Sequence, residues 1–470
     1  MDRRQRPNIL FFLPDQLRAD WVGPGNAGRV RTPNVDALMA RGVTFRNAIC
    51  PSPLCGPSRA CLATGLEYDR NPVPNNDHSI DLDGPNFYRQ LAASGYDVLT
   101  CGKVDLLKGE LDWGADGLHR DADGSRLYRL GFTGGLDSAG KHATLSAWAA
   151  GKEEPYLALL QQRGLEQAHV TDMQKRKGAG ERAGANYTNT EPSPLPDDAY
   201  QDGWVGECGL DCLRALDRGR PWFLQVNFVG PHEPMNITHS MAKSVEGADP
   251  PLPADPGDIE VHTHRAIRRT YTAMVEFLDA MLGRYVDFLR ETGQLERTII
   301  IFASDHGEML GDAARWKKSQ PHQPSIGIPL VVAGPGIAVG RTTDQPATFL
   351  DLHATMIDLA EAQPLPGIDS RSLLPALVDP TQHVRDVVFS GLGHWRIAFD
   401  GTFKIVAGFD PSKKAGAGSF TDTNPENWRL VRVGEDPAET EDLTSRYPEI
   451  AARLKTLLQA EVARAPRNVT

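Results

Sequence analysis

A chain of 470 residues has room for a large core and a smaller second unit, and its formal charge of −11 argues against a general nucleic-acid binder. With 40% hydrophobic and 24% charged residues, it has the composition of an ordinary globular protein rather than a disordered one. No segment approaches the apolar run of about 18 residues that a membrane helix needs. Near the start, NILFFL is broken at once by Pro14-Asp15 with no small-residue cleavage site after it, so the expectation is a first strand in a cytoplasmic chain without a signal peptide. The 6 cysteines are then expected to stay reduced, with Cys208 and Cys212 packed on one helix face.

In chain order, Asn8–Leu13 reads as a strand, and Thr32-Pro33 opens a helix that runs through Ala40. Val43–Ile49 is a further strand, Gly84–Ser94 an amphipathic stretch, and Tyr96–Cys101 a strand ending at Gly102-Lys103. From Asp105 to about Tyr200 the chain is rich in Gly, Asp, Lys and Arg with weak periodicity, which reads as a long insertion over a site. The charge run Lys175–Arg182 within it is expected to be a solvated face. Trp222–Phe228 is a buried strand running into GPHEP, and a long core helix covers Ala266–Leu289. Thr298–Ala303 and Ile328–Val332 are strands, and Phe349–Ala360 is a helix. After about Gly367 the pattern changes: a hairpin turns at Asp400-Gly401, a strand lies near Leu430, and a helix runs from Pro448 to Ala463.

Short β-branched strands alternating with helices predict an α/β fold, a large mixed but mainly parallel sheet sandwiched by helices. A smaller C-terminal α+β domain of antiparallel sheet plus helix follows. The expected division is 1–370 and 371–470, with the insertion at about 105–200. In such sheets ligands sit beyond the carboxyl ends of the strands. Asp15-Gln16, Lys103, His232 and Asp305-His306 all fall at such ends, which predicts one active site.

Asp15, Gln16, Asp305 and His306 form an oxygen-rich set suited to a hard divalent cation, Ca²⁺ first, with Mg²⁺, Mn²⁺ or Zn²⁺ open. Lys103, Lys318 and His232 are the cations that could gather an anion beside it, and His232 titrates where a general acid is useful. In LCGPSRACLATG, Cys55 precedes a helix start at Gly56-Pro57, whose free N–H groups favour an anion. Arg59 follows one turn on. A thiolate suits a hard cation poorly, so an oxygen nucleophile at position 55 fits the set better.

Cys55-Gly56-Pro57-Ser58-Arg59 matches the C-x-P-S-R motif of the type I, formylglycine-dependent sulfatases of the alkaline phosphatase superfamily. ACLATG, NILFFLPDQLRAD, GYDVLTCGK, FVGPHEP, SDHGEMLGD, RWKKSQPHQPSIGIPLVV and DPAETEDL resemble further family segments in order, over nearly the whole chain. The resemblance implies that Cys55 is oxidised to Cα-formylglycine by a formylglycine-generating enzyme. The hydrated aldehyde, itself a metal ligand, would attack sulfur while Arg59, Lys103, Lys318 and the metal stabilise charge and His232 serves the leaving alcohol. It implies a sulfuric ester hydrolase acting on a sulfated carbohydrate or another small organic sulfate.

The chain departs from the family pattern at Asp105, where many members have histidine, and at Gln16 and His306, changes that resemble the choline sulfatase and phosphonate monoester hydrolase branches. Phosphonate or phosphodiester hydrolysis by the same diol is therefore the alternative, and a non-catalytic binding protein with an unmodified Cys55 is the third reading. Lys103, usually absent from the phosphonate branch, favours sulfate esters. Asn76, His78, Asp105, His394 and Arg396 are the candidates for substrate contact.

Overall fold

The computed structural model describes residues 6–26, 29–109, 111–177, 185–217, 219–414, 416, 418–420 and 428–464. The main strands are β1 (Asn8–Asp15), β2 (Gly42–Ile49) and β3 (Asp97–Gly102). A two-residue hairpin, β4 (Arg120–Asp121) and β5 (Gly124–Ser125), stands apart, and β6 is Gly134–Gly135. Then come β7 (Trp222–Pro231), β8 (Thr298–Ala303), β9 (Leu330–Ala333) and β10 (Arg341–Thr348). They form an 8-stranded sheet in the order β10-β2-β9-β8-β1-β7-β3-β6. All its pairs are parallel except those of β9, which runs antiparallel to β8 and β2. The expected mixed, mainly parallel sheet is therefore present. Its central strands are buried along their whole length because helices cover both faces, which is why NILFFLPD and TIIIFA read as continuous apolar runs.

The long helix extends beyond its expected bounds, Val261–Glu291, and buries Ile267, Tyr271, Met274, Leu278, Met281 and Tyr285 against one face. Pairs of Phe12 with Phe228 and of Trp21 with Tyr271 fill that layer.

The insertion is more ordered than its composition suggests. It carries helices Lys141–Ala149, Pro155–Gln162 and Glu166–Lys177, and β6 joins the edge of the main sheet beside β3. The expected solvated charge run needs correction at Arg176, which is fully buried. Its guanidinium pairs with Asp172 and donates to the carbonyls of Asn189, Glu191 and Met235, so the arginine ties the insertion down instead of facing water. Residues 178–184 of that run lie outside the described residues.

A 4-stranded antiparallel sheet follows: β11 (Val388–Leu392), β12 (Trp395–Phe399), β13 (Phe403–Ala407) and β14 (Trp428–Arg432). Helix Pro448–Val462 packs Ala451, Leu454 and Leu458 on one face of it. On the other face Leu392, Trp395 and Phe399 belong to the same apolar cluster as Phe45, Ile326 and Phe349 of the main body. The division we propose near residue 370 is thus one of sheets, with a core shared across it. Among the described residues no helix is long and apolar enough to cross a membrane.

Candidate active site

Cys55 is the first residue of helix Cys55–Thr64, whose ten residues are all buried beside the carboxyl ends of the central strands. The extended Leu54 precedes it, and Gly65 in the left-handed region ends it, its N–H returning to the Cys61 carbonyl. Asn76 Oδ1 accepts from the Gly56 N–H at 2.9 Å and so satisfies one of the helix's unpaired donors.

Around Cys55 Sγ stand His306 Nε2 at 3.1 Å, Lys103 Nζ at 3.4 Å and Asp15 Oδ1 at 3.8 Å. Lys103 Nζ also donates to Asp15 Oδ2 at 2.5 Å. Lys103 reaches this point because Gly102, at φ 86°, turns the end of β3 where a Cβ would lie 2.1 Å from the Asn227 carbonyl oxygen. His306 Nδ1 faces the Gly307 carbonyl at 3.0 Å and so keeps its proton, leaving Nε2 free to accept or ligate.

Arg59 is nearly inaccessible and fully engaged. Nε donates to Asp305 Oδ2 at 2.9 Å, Nη2 to Asp15 Oδ2 at 3.1 Å, and Nη1 to the Lys103 carbonyl at 2.6 Å and Asn227 Oδ1 at 3.1 Å. One guanidinium thereby fixes two carboxylates and the backbone of the lysine between them.

The electrostatics divide in two. Burial and then Asp15 act to raise the Cys55 thiol, yet Lys103, Lys318 and Lys108 together hold it well below the usual cysteine range. Position 55 is therefore a place for negative charge. Burial opposes ionisation of Asp15, but Lys103, His232, Arg59 and His306 keep its carboxyl well below the usual range. Asp305 is pushed up, first by burial and then by the negative charge of Asp15.

Asp15, Cys55, Asp305 and His306 place ligand atoms within 4.8 Å of one another, all buried. Two carboxylates that repel each other, with an imidazole nitrogen free to ligate, fit a divalent cation by the chemistry of the donor set. Gln16 lies beside them at φ 68°, its N–H bonded to Asp305 Oδ1 at 3.0 Å. Its amide oxygen accepts from Lys318 Nζ in this structure. His232 Nε2 is 2.5 Å from the same Lys318 Nζ. The structure thus brings Asp15, Gln16, Cys55, Arg59, Lys103, His232, Asp305, His306 and Lys318 into one group, all of them buried except the half-buried His232.

The candidates for substrate contact behave differently. Asp105 is next to the group, 3.4 Å from Lys103 Nζ and 2.6 Å from Lys108 Nζ. Asn76 is committed to its helix-capping bond. His78 is exposed, with Nδ1 held by Asn75 Oδ1 at 2.7 Å. Arg396 is paired in a fork with Asp69 at 2.5 and 2.6 Å and lies over the Tyr68 ring. His394 Nε2 accepts from the Asp410 N–H at 3.3 Å.

Sequence reasoning missed Asn227, Glu233, Glu308 and His142. Asn227 and Gln225 stand two apart in a strand of otherwise apolar residues, where Gln225 Nε2 donates to Asn227 Oδ1 at 2.6 Å. That pair of polar residues in a buried strand was the available signal. Glu308 accepts from Tyr187 at 2.8 Å and from Gln16, and nothing in SDHGE distinguishes it from a turn residue.

The sulfatase family model matches residues 7–362 of the chain. The chain is 29% identical over 417 residues to the multifunctional alkaline phosphatase superfamily protein PehA of Trinickia caryophylli, covering 80% of this chain and 77% of that protein. It is 28% identical over 397 residues to the choline-sulfatase of Rhizobium meliloti strain 1021, covering 79% and 71%. In three dimensions it is similar to the phosphonate monoester hydrolase of Agrobacterium radiobacter, with a TM-score of 0.75, 23% identity and coverage of 98% and 96%. The motif order, the site it assembles and the family match over most of the length agree, and the chain belongs to the sulfatase family.

Proposed function

We propose that this protein is a sulfuric ester hydrolase that cleaves a sulfate monoester, with a sulfated carbohydrate or another small organic sulfate as substrate. The observation that carries this reading is the pair of lysines at position 55. Lys103 Nζ lies 3.4 Å from Cys55 Sγ, and Lys318 Nζ joins the group through Gln16 and His232. Together with a helix N-terminus they make a buried site for an oxyanion.

Residue 55 acts in this reading as Cα-formylglycine. The hydrated aldehyde supplies one hydroxyl to take up the sulfuryl group and a second whose deprotonation expels sulfate. Cys55 is 1% exposed in the folded chain, so the formylglycine-generating enzyme must reach it before the helix docks. Asp15, Asp305, His306 and residue 55, with Gln16 beside them, would hold a divalent cation, Ca²⁺ in our reading, that supplies positive charge against the reacting oxygens.

Lys103 and Lys318 hold the sulfuryl oxygens, and Arg59 keeps both carboxylates and the Lys103 backbone in register. His232 offers Nε2 on the Lys318 side, where it can give a proton to the leaving oxygen.

Comparing kcat/KM on 4-nitrophenyl sulfate with that on a phenylphosphonate monoester tests the reaction class. Faster sulfate turnover is expected; faster phosphonate turnover would overturn the preference. Mass spectrometry of the peptide spanning Cys55 from the native host tests the modification, and a wholly unmodified thiol would defeat the catalytic reading.

A further inference from the structure

His232 sits beside residues that the mechanism above does not use: Glu233, His142 and Lys141. Its Nδ1 faces two acceptors, the Glu233 carbonyl oxygen at 2.6 Å and Glu233 Oε2 at 2.9 Å. Glu233 is 2% exposed. Its Oε1 lies 3.6 Å from His142 Nε2, and its Oε2 accepts from Gln16 Nε2 at 3.1 Å. His142 and its neighbour Lys141 both come from the insertion helix Lys141–Ala149. Lys141 Nζ donates to the His232 carbonyl at 2.7 Å and the Pro234 carbonyl at 3.3 Å. The insertion therefore grips the His232–Pro234 segment by its backbone and faces its carboxylate.

We propose that Glu233 is a positioning residue for His232, with His142 bracing it from the insertion: it fixes the ring so that Nδ1 keeps its proton and Nε2 faces the sulfuryl pocket. This rests on the sulfatase reading. A carboxylate at the far nitrogen of a histidine sets its tautomer and orientation and stabilises the imidazolium. When the S–O bond to the leaving group breaks, its electron pair goes to that oxygen, which takes the proton from Nε2. The imidazole becomes neutral and its Nδ1–H stays on Glu233. Two acceptors on Nδ1 leave Nε2 as the only nitrogen that can face the leaving group.

The role has a signature that a merely structural carboxylate lacks. An alkoxide or a basic phenolate needs the proton, whereas 4-nitrophenolate leaves well without it. E233Q is therefore expected to lower kcat/KM by roughly 10- to 100-fold on aryl sulfates with poor leaving groups. On 4-nitrophenyl sulfate it should stay close to wild type, so that the plot of log kcat/KM against leaving-group pKa steepens. E233D keeps the charge with a shorter reach and is expected to give an intermediate slope; where melting curves show E233Q unfolded, E233D decides the question. An unchanged slope in an active, folded variant, or an equal loss across the series, overturns the inference alone. A wild-type enzyme that turns over no sulfate ester overturns the functional reading and this inference with it.

Discussion

Asn76 Oδ1 accepts the Gly56 N–H at 2.9 Å, closing the N-terminal end of the helix that carries Cys55. A Cβ on Gly56 would lie 2.9 Å from that same oxygen, so the two residues are fitted to each other. Asn76, a candidate substrate contact from the sequence, has its Oδ1 engaged as a cap.

Asn76→Ala should cost about 1 kcal/mol of stability, as the loss of a helix N-terminal acceptor does. Its kcat should fall with little change in KM, because the nucleophile's helix loses a support while the substrate loses no contact. Thermal melting and steady-state kinetics on an aryl sulfate read both. A raised KM with an unchanged melting temperature would return Asn76 to substrate binding.

The C-terminal segment DPAETEDL finds its purpose in a buried ion pair. Lys404 Nζ lies 2.7 Å from Glu439 Oε1 and donates to the Pro321 carbonyl at 2.7 Å, while the Gln323 N–H donates to the same carboxylate at 2.6 Å. This locks β13 onto the segment that follows Lys318. Lys404→Met leaves Glu439 buried without its cation and should cost about 3–5 kcal/mol. Urea unfolding measures it, and a loss within error of zero would show the pair to be dispensable.

Glu154 gives a pH dependence remote from the catalytic group. Burial pushes its carboxyl from 4.5 up to about 7, although it accepts from the Ala139 and Leu157 N–H groups at 3.0 and 2.8 Å. Below 4.5 both folded and unfolded chains hold the proton; between there and about 7 only the unfolded chain ionises. Stability therefore falls as pH rises through that window and levels off above it, by about 3 kcal/mol. Glu154→Gln should flatten this part of the profile when unfolding is compared at acidic and mildly alkaline pH. Superimposable profiles for the two proteins would refute it.

Removing the divalent cation should lower the melting temperature, because the repulsion between Asp15 and Asp305 is then relieved only by the protein's own cations, Arg59 between the two carboxylates and Lys103 on Asp15. Returning Ca²⁺ at about a hundredfold above its Kd should restore about 2.7 kcal/mol. Asp305→Asn should abolish the Ca²⁺-dependent rise. A chelated protein that melts at the same temperature with and without Ca²⁺ would speak against the cation site.

The sequence by itself determined the sheet and the address of the site. Buried parallel strands must be apolar on both faces, so they announce themselves, and their carboxyl ends bring Asp15, Lys103, His232 and Asp305 together whatever the loops do. The residues at those ends could be named because each stands beside a Gly, a Pro or a strand terminus. Tertiary structure alone decided what holds them. Arg59 meets Asp305 across 246 positions, Gln16 meets Glu233 across 217, and Asn76 meets the Gly56 N–H across 20. Such bonds leave no periodicity, because the partner of a polar side chain is set by packing and not by spacing. Arg176 shows the same limit from the other side: within a run of charges it looked solvated, and only the folded insertion supplied the carbonyls that bury it.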